Sequence, residues 1–196
     1  MILKPIRHWI VGAARKVTIR GWTSMTVQQI HSVSLVDVRK KSDDFRHTIV
    51  AALYLLASTD SRRFKRVIDS FDWIVNQALS TGGAEYQHWA RACVINFEED
   101  WPGRDIGFTV AWHAAVLIHE ATHAHLSNRG ISYDDSNCAR IERLCVNEQN
   151  RWASRLEDKE LGRRLYQEFD PDDWNFSWNA SRFTHLKSKI KNALAD

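Results

Sequence analysis

Val110-Ala-Trp-His-Ala-Ala-Val-Leu-Ile-His119-Glu120-Ala-Thr-His123-Ala-His125-Leu-Ser-Asn128 is the stretch on which the reading of this chain turns. It carries neither Gly nor Pro, and Ala and Leu favour the helix. Gly130 just beyond it supplies a stop. The pattern predicts one helix from Val110 to Asn128. Within it, His119-Glu120-Ala-Thr-His123 matches H-E-x-x-H. Residues i and i+4 stand one above the other on a helix, so His119 and His123 are expected to project side by side toward one zinc ion. Glu120 is rotated from the pair yet can reach a water there, the place of a general base. Val110, Ala114, Leu117 and Ile118 make the other face apolar enough to be buried. The plainer reading of the same letters is a helix whose histidines only face solvent or cap a core.

A catalytic zinc takes three protein ligands and keeps one position open. After Gly130 the composition of Ile131-Ser-Tyr-Asp-Asp-Ser-Asn137 is that of a turn. Asp135 or Ser136 can then cap a second helix running from Cys138 to Leu156. It offers two carboxylates, Glu142 and Glu148, which lie 19 and 25 residues beyond His123.

These motifs resemble the zincin superfamily of metallopeptidases, and its gluzincin branch in particular. In that branch a Glu on the helix after H-E-x-x-H completes the metal site, and in thermolysin-like members it follows at about the spacing of Glu142. The resemblance therefore implies His119, His123 and Glu142 as ligands of a single Zn²⁺, with Glu120 as the catalytic base. Glu148 has a rival claim. Glu148-Gln-Asn-Arg-Trp-Ala is similar to a Glu-x-Asn-x-aromatic-Ala run in another small bacterial gluzincin group. There the ligand precedes the run by two residues, where Val146 stands here, and Glu142 is preferred. The resemblance covers roughly residues 84–156. His125, two residues past His123, departs from most gluzincins and is expected to face elsewhere.

The chain has 196 residues, enough for one domain with a substantial core, and residues 1–196 are read as a single domain. With 44% hydrophobic and 26% charged residues its composition is globular. A formal net charge of +3 does not demand nucleic acid. Cys93, Cys138 and Cys145 are odd in number and lack C-x-x-C spacing, which points to reduced thiols and a cytoplasmic setting. Cys138 and Cys145 share a helix face and read as small core residues before ligands. No run of apolar residues is long enough to span a membrane. Residues 1–16 lack a clean signal-peptide core and read as a short amphipathic helix packed on the domain.

Elsewhere, residues 17–38 carry β-branched residues and are expected to be extended. Asp43 or Asp44 caps a core helix over Phe45–Ala57. A further helix is expected around Phe64–Phe71, and Trp73-Ile-Val75 fits either helix or strand. Ser80-Thr-Gly-Gly-Ala84 is a turn, and Cys93–Phe97 a strand. By the resemblance, this strand lines the cleft and pairs with extended substrate. Short helices are expected over Leu161–Phe169 and residues 181–194. The fold class expected is α+β: a mostly helical, zincin-like domain with a small antiparallel or mixed sheet beside the H-E-x-x-H helix.

The resulting expectation is a zinc-dependent hydrolase of peptide bonds, with a peptide or protein as substrate. Charge stabilisation would fall to Tyr133, ahead of His88 or His113. A zincin-like module that binds metal without catalysis is the second reading. A basic DNA-associated protein using Arg62-Arg-Phe-Lys-Arg66 is the third and weakest.

Overall fold

A computed structural model describes residues 15–39, 42–79, 83–97, 105–134 and 136–170. In chain order these form α1 (15–24), β1 (Thr26–Ile30), β2 (Val33–Asp37), α2 (Ser42–Thr59), α3 (Ser61–Ser70), β3 (Trp73–Asn76), β4 (Ala84–Gln87), β5 (Ala92–Ile95), α4 (Ile106–Asn128), α5 (Cys138–Ala153) and α6 (Lys159–Leu165). The strands make one mixed sheet in the order β1-β2-β3-β5-β4. Strands β2, β3 and β5 are mutually parallel, and β1 and β4 flank them antiparallel. The architecture is the expected helix-rich domain with a mixed sheet.

Alternation along the strands gives the sheet two faces. Leu35, Ile74, Cys93 and Ile95 join Phe45, Leu53, Leu117 and Ile118 in the main core, which α2 and α4 cover. Val36, Val75 and Val94 point the other way, onto Trp22, Trp73 and Trp89. Trp22 stacks on Trp89 at 5.9 Å between ring centroids. This second core corrects the reading of residues 17–38. Val33–Asp37 is extended as expected, but residues 15–24 are helical. Strand propensity is a weak, context-dependent preference; here burying Trp22 on the sheet accompanies a helix in its place.

Two further elements depart from expectation. Cys93–Phe97 was expected to be the strand open to substrate, but β5 is interior, paired with β3 on one side and β4 on the other. The edge beside α4 is β4, whose residues alternate too little to stand out. Trp73–Asn76 resolves as a strand because it is the parallel partner of both β2 and β5. The expected helices at residues 1–16 and 181–194 fall almost wholly outside the described residues.

Helix α4 crosses the centre of the molecule. The Asp105 side chain caps it by accepting from the Phe108 N–H at 3.0 Å. At the other end Gly130 takes φ +76, a left-handed conformation that suits glycine, while the Ile131 N–H returns to the Leu126 carbonyl at 3.1 Å. Ala111, Ala114, Ala115, Ala121 and Ala124 are all buried along it. Such small residues let α2, α5 and the sheet pack closely around one helix. The N-cap of α5 is Asn137, just beyond the expected Asp135 or Ser136, and it makes no side-chain cap hydrogen bond.

Candidate metal centre

His119 and His123 project from adjacent turns of α4, as the i, i+4 spacing requires. Helix α5 packs against this face and presents Glu142, which is 2% exposed. Glu142 Oε2 lies 3.0 Å from His119 Nε2, and Glu142 Oε1 lies 3.1 Å from His123 Nε2. The two Nε2 atoms are 3.2 Å apart. Donors held about 2.0–2.2 Å from a tetrahedral zinc ion stand roughly 3.3 Å from one another. The two imidazole nitrogens therefore already stand at about the separation such an ion requires, and Glu142 meets each of them through a different oxygen.

Gln149, two turns beyond Glu142 on the same face of α5, fixes the tautomer. Its Oε1 lies 2.9 Å from His119 Nδ1. A carbonyl oxygen only accepts, so Nδ1–H donates to it, and the Nε2 of a neutral ring is left with its lone pair. That lone pair faces a carboxylate and a second imidazole. Acceptors converging on one point repel unless a positive charge lies among them. A proton meets that need in part. Burial disfavours the charged form of His119, but the hydrogen bond to Glu142 and the charges of Glu120 and Glu142 raise its pKa above 6.5. Burial likewise opposes ionisation of Glu142, yet the hydrogen bonds and charges of His119 and His123 outweigh it and hold the carboxyl at about 2. A divalent ion would satisfy all three groups more fully than a proton.

Tyr133 leans over this cluster from the loop between α4 and α5. Its O–H donates to Glu142 Oε1 at 2.6 Å, and its ring meets that of His123 edge-on at 5.3 Å. Burial and the Glu142 carboxylate push the phenol far above its usual range, so it stays a proton donor. Glu120 is buried between α4 and the sheet. Burial raises its pKa, the nearby His123 and His119 charges pull it back, and Glu142 adds to the rise; the net direction is upward. With His119, Gln149, Trp112 and Val116, Glu120 lines a cleft of about 280 Å³. Gly83 and Ala84 at the start of β4 form the facing wall.

The other candidates lie elsewhere. Glu148 accepts from Arg63 at 3.0 Å and Arg151 at 2.8 Å, with Arg66 at 3.4 Å, and so ties α5 to α3 and not to the imidazole pair. His113 lines the cleft with its Nδ1 2.8 Å from the Thr109 carbonyl oxygen, and burial lowers its pKa, which favours a neutral ring. His88 sits in the β4–β5 turn. His125 is half-buried; burial, Arg129 and Arg66 lower its pKa. Within the basic run, Arg63 also pairs with Asp60, and Lys65 pairs with Asp69.

Sequence reasoning missed Gln149 at the centre and read Cys145 as a core residue before a ligand. Cys145 Sγ, a nitrogen of His119 and a nitrogen of His123 all lie within 4.8 Å of one another. The signal was available: Cys145 is three residues and Gln149 seven residues past Glu142, which on a helix is one face. All three cysteines are buried free thiols. No helix among the described residues is long and apolar enough to cross a membrane. No family model, no curated protein and no solved structure matches this chain.

Proposed function

We propose that the protein is a zinc-dependent hydrolase of peptide bonds, with His119, His123 and Glu142 as ligands and Glu120 as general base. The observation that carries this reading is the convergence of two imidazole nitrogens and one carboxylate at 3.0–3.2 Å, beside a buried carboxylate that opens onto a cleft. A bound zinc ion would acidify water and polarise a carbonyl there. The chain's own groups do the rest. Glu120, with its proton affinity raised by burial, suits the uptake of a proton from water and its delivery to a leaving amine. Gln149 holds the His119 ring by its Nδ1–H, and Tyr133 holds the Glu142 carboxylate. Beside the cleft, β4 ends the sheet among the described residues, and such an edge strand would offer main-chain N–H and C=O groups to an extended peptide. Trp112, Val116 and Ile95 suit the cleft to an apolar side chain. The free thiols fit a reducing compartment such as the cytoplasm.

The test is Glu120→Gln, assayed on a pool of peptides with the products read by mass spectrometry. The expected result is a chain that keeps its zinc and loses cleavage by roughly 100-fold or more, the range that general-base catalysis supplies. Retained cleavage would reject the base assignment. A second reading, a metal-binding module without catalysis, is favoured by one observation: the Cys145 thiol at the cluster could occupy the position that water needs.

A further inference from the structure

We propose that Cys145 is a fourth donor to the same ion, so that α5 delivers both a carboxylate and a thiol to the centre. The inference rests on the zinc reading above. It starts from placement: Glu142, Cys145 and Gln149 follow one another along a single face of α5, and that face meets His119 and His123. The Sγ atom lies within 4.8 Å of a nitrogen of each imidazole, and Cys145 is fully buried. A cysteine that merely filled core space would be expected against apolar side chains. This one shares its surroundings with two histidines and a carboxylate. Among the groups at the cluster, His119, Glu120 and Gln149 line the cleft, whereas Cys145 is closed off from solvent. The thiol is therefore supplied from the packed interior of the fold.

Coordination would exchange the S–H bond for a sulfur–metal bond and release one proton to solvent. Two consequences follow from the donor set. A thiolate selects softer ions, so cadmium and zinc gain over manganese and magnesium. Its negative charge also cancels the positive charge that two neutral imidazoles and one carboxylate leave on a divalent ion. With four protein donors, water could join only by expanding the ion to five-coordinate, and a neutral centre would acidify it less, so Cys145 would restrain the hydrolytic power of the site while tightening its hold on the metal.

The test is cobalt titration of the full-length, metal-free chain in a non-thiol reductant, followed by absorption spectroscopy. The expected result is an intense near-ultraviolet thiolate-to-cobalt band that saturates at one equivalent. Cys145→Ser should abolish that band while keeping the visible cobalt bands, and should weaken cadmium binding at least tenfold more than manganese binding. Cys93→Ala and Cys138→Ala should leave the band in place. A cadmium-113 spectrum of the unsubstituted chain reads the same bond even if Cys145→Ser does not fold. It should show a resonance shifted downfield of sites built from nitrogen and oxygen alone. Stoichiometric cobalt without the band, or a band unchanged in Cys145→Ser, would overturn the thiol ligand and leave the His119, His123 and Glu142 site standing. No cobalt bound at all would overturn both.

Discussion

Replacing Glu142 with glutamine tests the electrostatics of the centre in the metal-free chain. The Glu142 carboxyl sits at about 2 instead of its ordinary 4.5, because hydrogen bonds from His119 and His123 overcome the cost of burial. At about 1.4 kcal/mol for each pH unit, that difference corresponds to about 3 kcal/mol of folding stability, as an order of magnitude. The folded pKa is depressed, so this stability is fully present above pH 4.5 and is lost as pH falls from there toward about 2. His119 behaves oppositely. Its pKa is raised, so its contribution is full below about 6.5 and fades as pH rises through the folded value. The Glu142–His119 pairing should therefore contribute most to the stability of the metal-free protein between pH 4.5 and 6.5. Glu142→Gln should lower the melting temperature in that window by roughly 6–12 °C for a chain of this size. It should also remove most of the acid-side loss. The assay is thermal unfolding in chelator across pH 2–7, followed by circular dichroism. If wild type and variant share the same acid limb, the carboxylate–imidazole pairing described here is wrong.

Two further substitutions probe the support around the site. Arg63 on α3 is buried and joins Asp60, the N-cap of that helix, to Glu148 on α5. Arg63→Met leaves those carboxylates short of a buried partner and should cost about 3 kcal/mol by chemical denaturation. A loss below about 0.5 kcal/mol would show that the pair does not anchor α5, since surface changes fall in that range. Tyr133→Phe removes the O–H that supports Glu142, and should weaken zinc binding about tenfold in a competition assay, the lower end for groups that orient a ligand. Unchanged affinity would detach Tyr133 from the metal site.

Much of the site was legible because helices impose a strict period. His119 and His123 had to share a face of α4, and the turn residues after Gly130 implied a second helix folding back with Glu142. The choice between Glu142 and Glu148 was not legible from spacing alone. It depended on the rotation of α5 about its axis, which the Arg63–Glu148 and Gln149–His119 contacts accompany. The sheet was the harder part. Strands of four or five residues carry too few positions for alternation to speak, so the sequence neither marks β4 nor shows that β5 lies inside the sheet. Residues 17–24 depart from expectation for a related reason. Their β-branched residues suggested a strand, while the burial of Trp22 against the far side of the sheet accompanies a helix.

The most direct test of the central claim is the zinc content of the purified chain and of three variants, measured by elemental analysis against protein concentration. One zinc per chain is predicted in the wild type and in Glu148→Ala, with zinc lost in His119→Ala and sharply reduced in Glu142→Ala. A wild-type chain that takes up no stoichiometric zinc, or a His119→Ala variant that keeps it, would contradict the account.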